Sequence, residues 1–97
     1  MSEYTLRTFS RATQTSVASP AASTTLFSAN PARKAVIIMN TSTSTLYVLF
    51  GGGTATATTA HSIAMAANTS YAIEGFTGAA TGIHSASNGQ VNITEFE

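Results

Sequence analysis

The stretch Ala35-Val36-Ile37-Ile38-Met39-Asn40-Thr41-Ser42-Thr43-Ser44-Thr45-Leu46-Tyr47-Val48-Leu49-Phe50 decides the fold class. It contains two short apolar runs, 35–39 and 45–50. Both are shorter than an ordinary helix and rich in branched and aromatic residues, as a strand buried on both faces would be. Asn30-Pro31 bounds the first run and Gly51-Gly52-Gly53 ends the second. The link from Asn40 to Ser44 has hairpin length and turn-forming residues, so the two runs are expected as neighbours at the centre of a sheet. Downstream, Ile63 and Met65, then Tyr71 and Ile73, recur at every second position, with a turn over Ala67-Asn68-Thr69-Ser70. Gly75-Phe76-Thr77-Gly78 reads as a loop that buries one aromatic ring, and Ile83 opens another strand. Asn88-Gly89 tolerates the positive φ angles of a type I′ hairpin turn. Beyond it, Val91 and Ile93 point one way and Asn92 and Thr94 the other. No segment keeps a helical period. The expected fold is all-β, a small antiparallel β-sandwich or barrel-like body over residues 26–97, with an extended N-terminal arm over 1–25.

The arm is assigned from its poverty in anchors. After Met1 it offers only Tyr4, Leu6, Phe9 and Val17 as sizeable apolar side chains. Ordering such a length of backbone costs more than four anchors return. It is therefore expected to order on a partner through Tyr4, Leu6, Arg7, Phe9 and Arg11. Charge is divided along the chain. Arg7, Arg11, Arg33 and Lys34 lie in the first third with Glu3, whereas Glu74, Glu95 and Glu97 lie in the last quarter. Basic and acidic ends are expected to pair between copies, with Tyr47, Tyr71, Arg33, Lys34 and Glu95 serving self-association.

The chain has 97 residues, one domain's worth, and a formal net charge of zero. Zero charge without a basic stripe argues against nucleic-acid binding and against a membrane-surface module. No apolar run approaches membrane-span length, and the N-terminus shows no signal-peptide pattern. Cysteine is absent, which excludes disulfides, thiolate zinc sites and thiol chemistry. The 12 Ser and 17 Thr make the polar surface one of hydroxyls instead of charges, a surface suited to permanent assembly. Catalysis has few candidates: His61, His84 and the glutamates, with no nucleophile-elbow pattern. His61 is read as a solvated loop residue. His84 is read as facing away from the core or bonding a neighbouring strand. Neither has a carboxylate at ligand spacing, so no metal and no cofactor are expected. Gly51-Gly52-Gly53 lacks the lysine and following helix of a phosphate cradle. Thr54, Thr56 and Thr58 alternate, and such an array on a flat strand can bind carbohydrate.

Several of these segments also carry a likeness. Asn30-Pro31-Ala32-Arg33-Lys34 leads into the apolar strand ending Asn40-Thr41-Ser42. Leu46-Tyr47-Val48 then runs to a glycine loop, and Tyr71-Ala72-Ile73 precedes Phe76-Thr77-Gly78. Gly82-Ile83-His84 leads through Ala86-Ser87-Asn88-Gly89 to Thr94-Glu95. The span from Leu26 to Glu95 resembles small virion proteins of tailed bacteriophages, of the capsid decoration (cement) or head-fibre type. His84 departs from the pattern, since related sequences often carry Trp there. The resemblance implies a non-enzymatic β-sandwich protein on the outer capsid surface. It also implies self-assembly, commonly as a trimer, and the major capsid protein as partner. A host-surface glycan-binding module and a neck, tail or baseplate component are the alternatives.

Overall fold

The computed structural model describes residues 10–18, 21–87 and 89–97. Its strands are β1 (Ala12–Ala18), β2 (Thr24–Phe27), β3 (Ala35–Asn40), β4 (Leu46–Phe50), β5 (Ile63–Met65), β6 (Ser70–Glu74), β7 (Ala80–His84) and β8 (Gln90–Phe96). They form two four-stranded antiparallel sheets, ordered β1-β8-β3-β6 and β2-β7-β4-β5. First pairs with last, second with seventh, third with sixth, fourth with fifth. That nesting is a long hairpin wrapped into two layers, the jelly-roll form of the sandwich.

Period-2 alternation places the core. In the first sheet Val36, Ile38, Val91 and Ile93 point inward, joined by Val17 and Ile73. In the second, Leu46, Val48 and Met65 meet them, with Leu26 and Phe27 from β2. Of the three inward positions of β7, Ala80 and Gly82 are small and the third is His84. A β-carbon on Gly82 would stand 2.9 Å from the Leu26 side chain, so glycine there lets Leu26 close over the strand.

The all-β sandwich is as expected, but two expected hairpins are not hairpins. β3 and β4 lie in different sheets, and so do β7 and β8. Asn40–Ser44 therefore arches from one layer to the other, and β7 and β8 are not joined as neighbours. A turn fixes where the chain reverses; side-chain burial on both layers decides which strand it lands beside. Asn88 lies outside the described residues. The expected arm is also too long. Residues 12–18 form β1, in unbroken register with β8 from Ala12↔Phe96 to Ala18↔Gln90, and β2 begins at Thr24. A sheet edge repays backbone entropy with ladder hydrogen bonds, which a count of apolar anchors overlooks.

Candidate functional site

Most of the described candidate side chains lie at the two ends of the sandwich or on the outer faces of its two sheets. At one end, β3 finishes on Asn40, which is fully buried. Its amide nitrogen donates to the carbonyls of Ser44 (2.9 Å), Met65 (3.1 Å) and Ala66 (3.1 Å). With three carbonyls on the nitrogen, the amide orientation is fixed. Its oxygen accepts from the Ser42 backbone N–H (3.2 Å) and hydroxyl (3.0 Å). It also accepts from His84 Nε2 at 3.0 Å, so that nitrogen carries a proton. His84 does not face away from the core; it is 1% exposed, and its bond to Asn40 ties β7 to β3 across the two layers.

At the other end, Asn30-Pro31-Ala32-Arg33 makes a tight turn. Arg33 N–H donates to Asn30 O, and Ala32 N–H to Asn30 Oδ1. The turn sends Arg33 into the interior, where its side chain is fully buried. Nε donates to Glu95 at 2.8 Å, Nη1 to the carbonyls of Phe76 and Gly78, and Nη2 to that of Ser28. The guanidinium stands 4.5 Å over the Phe27 ring. Beside it, Glu97 accepts from Asn30 Nδ2 at 2.8 Å and pairs with Arg11. The Asn30 bond first, and the Arg11 bond second, hold the Glu97 carboxyl below the usual carboxylate range.

Charges expected to pair between copies have partners within one chain: Arg33 bonds Glu95, and Arg11 bonds Glu97. A buried guanidinium with its donors satisfied has little left to offer a second molecule. Of the five residues assigned to self-association, Arg33, Glu95 and Lys34 lie together at one end of the sandwich, and the two tyrosines stand apart from them. Tyr47 faces outward on the second sheet; Tyr71 is on the inner face at the edge of the first, its ring 6.3 Å from that of Phe50. Lys34 is exposed next to the Arg33 turn, its N–H bonded to Phe96 O. Of the residues assigned to the partner-binding arm, Tyr4, Leu6, Arg7 and Phe9 lie outside the described residues.

The two outer faces differ. Residues 51–62 fold back over the second sheet: Thr81 Oγ1 donates to Gly53 O at 2.8 Å, Ala55 is buried, and His61 lies against Tyr47 at 4.9 Å between ring centroids. His61 is thus half-buried, not simply solvated, and its Nδ1 donates to Thr56 O. Thr54, Thr56 and Thr58 do not form a flat array. Residues 54–60 form no strand, and Thr56 Oγ1 is engaged by the N–H groups of Thr59 and Ala60. The first sheet has no described strand over its outer face. Its register sets out the rows Ala12–Phe96–Ala35–Glu74, Gln14–Thr94–Ile37–Ala72 and Ser16–Asn92–Met39–Ser70. Ile37, Met39 and Phe96 thus sit among hydroxyl, amide and methyl groups, with Glu74 the one charge in these rows.

Among the described residues there is no cavity, and no group of three His, Asp or Glu side chains placed to hold a metal. No protein-family model matches the chain, and no curated protein or solved structure matches it.

Proposed function

We propose that this chain is a non-enzymatic structural protein of a tailed-phage particle: a decoration (cement) protein on the outer capsid surface that bridges neighbouring major capsid subunits. The observation that carries the reading is the outer face of the first sheet. Ile37, Met39 and Phe96 lie there in a nearly uncharged field, on a rigid eight-strand body with both ends clasped by buried polar groups. Such a face suits a broad, dry contact with a fixed surface better than capture of a small ligand. The resemblance noted from Asn30-Pro31-Ala32-Arg33-Lys34 onward supports the choice of a phage particle. The leading residues Tyr4, Leu6, Arg7 and Phe9 are proposed as the strap that lies on the adjacent capsid subunit, with Arg11, paired to Glu97, fixing its root on the body. Many weak contacts per particle then act together through effective concentration.

The test is co-sedimentation of the full chain with purified mature heads. Saturable binding, together with greater resistance of the heads to heat, is the expected result. Ile37→Lys sets a charge in the middle of the face and is expected to cut occupancy at least tenfold. Recovery with tails alone, or no retention on heads, would remove the reading.

A further inference from the structure

We infer that the free edge of β1 is a self-pairing surface, and that a second copy docks there by antiparallel strand addition. Among the described residues the sandwich has four edge strands: β1 and β6 in the first sheet, β2 and β5 in the second. Unpaired edges invite strand addition, and proteins blunt them with shortness, bulges, charge or glycine. β5 has three residues. β2 has four and loses register between Thr25 and Phe27. β6 carries Glu74 and stops at Gly75, whose φ is 81°. β1 has none of these defences. Its seven residues, Ala-Thr-Gln-Thr-Ser-Val-Ala, hold no charge and no proline, and they pair with β8 without a break.

The ladder tells which groups are free. Arg11 and Glu97 exchange both backbone bonds, Arg11 N–H to Glu97 O (3.1 Å) and Glu97 N–H to Arg11 O (2.8 Å). By alternation, Thr13, Thr15 and Val17 turn their backbone groups to β8. Ala12, Gln14, Ser16 and Ala18 turn theirs to the open edge. A two-fold axis at Thr15 sets Ala12 opposite Ala18 of the partner subunit and Gln14 opposite Ser16 of the partner subunit. All four outward residues then meet outward residues, and each such pair exchanges two hydrogen bonds. A shift of two residues either way leaves some of them unmatched. Side chains agree with the register: methyl faces methyl, amide faces hydroxyl, and Thr15 meets its own copy. A two-fold sets like against like, so the absence of charge fits a second copy of this chain in particular. Two four-stranded sheets thereby become one of eight, and the face bearing Ile37 and Met39 doubles in width. The contact is isologous and gives a dimer, in place of the three-fold association that the resemblance implies. It does not rest on the capsid reading.

The experiment is sedimentation equilibrium of the full chain over a concentration series, with hydrogen exchange on the same samples. The expected mass rises from 9.9 kDa towards twice that value, with little change between low and high salt. The amides of Gln14, Ser16 and Ala18 gain at least tenfold protection as the dimer fills, while those of Thr13, Thr15 and Val17 are protected throughout. Gln14→Pro removes an outward N–H without touching the β1–β8 ladder, and Thr15→Lys sets two like charges on the axis. Each is expected to shift dimerisation at least tenfold towards monomer while keeping a cooperative melt. Ala72→Pro, on the β6 edge, leaves dimerisation unchanged. A monomer at every concentration up to about 1 mM overturns the inference. So does a trimer, a dimer indifferent to both β1 variants, or protection gained equally along β1.

Discussion

The two ends of β3 are closed by different chemistry. At Asn40 one neutral amide serves six bonds and gathers the loop after β3, the end of β5 and His84 of β7. About 20 Å away along the strand, a charged cluster does the same work: Arg33 with Glu95, and Glu97 with Asn30 and Arg11. Both ends must satisfy carbonyls that arching loops leave without ladder partners. The neutral end does so with little dependence on salt. The charged end gains strength from ionic donors and takes on a dependence on proton concentration in return.

Substitution at the neutral end should give the largest effect. Asn40→Ala leaves three carbonyls, the Ser42 N–H and His84 Nε2 without this partner, and is expected to cost about 4 kcal/mol. Asn40→Asp should be no better, because a carboxylate would then face three carbonyl oxygens. Urea unfolding of both variants checks this. Next comes Arg33→Ala, expected at about 3 kcal/mol because it strands the Ser28, Phe76 and Gly78 carbonyls. Arg33→Lys should recover only part of that, since an ammonium cannot reach all three and Glu95 together.

Acid separates the two ends. Glu97 is held below its ordinary value in the folded protein, so its support is fully present at neutral pH and fades as pH falls through that lowered value. Melting temperatures of the native chain and Glu97→Gln should differ slightly at neutral pH and converge in acid, whereas the loss from Asn40→Ala persists. The smallest effect is expected away from both ends. His61→Ala removes one ring contact with Tyr47 on a half-exposed face and should cost under about 1 kcal/mol.

Much of this body was legible from hydropathy. The runs at 35–39 and 45–50 are β3 and β4, the alternations at Ile63, Tyr71 and Val91 are β5, β6 and β8, and their inward residues form the core. Pairing was not legible. Asn40-Thr41-Ser42 has turn chemistry whether the next strand lies alongside or crosses over, and only the burial of Asn40 by residues 44, 65, 66 and 84 settles which. β1 escaped because Ala-Thr-Gln-Thr-Ser-Val-Ala has almost no apolar signal, and a strand exposed on most of its length needs none. Arg33 and Glu95 stand out in the sequence by their charge, but charge does not give direction: an arginine after Asn30-Pro31 turns inward here. Asn40 itself could have been suspected from an amide following directly on a five-residue apolar run.

The position of β8 has a consequence for biosynthesis. It lies between β1 and β3, so the first sheet lacks its middle until the C-terminal strand has left the ribosome. β3, with five apolar residues in a row, must wait through some fifty intervening residues for that neighbour, and β1 through more than seventy. Long-range closure of this kind slows folding and exposes greasy intermediates. Nascent chains stalled before Gln90 should accordingly be sticky and protease-sensitive, and release of the last strand should be the event that commits the molecule.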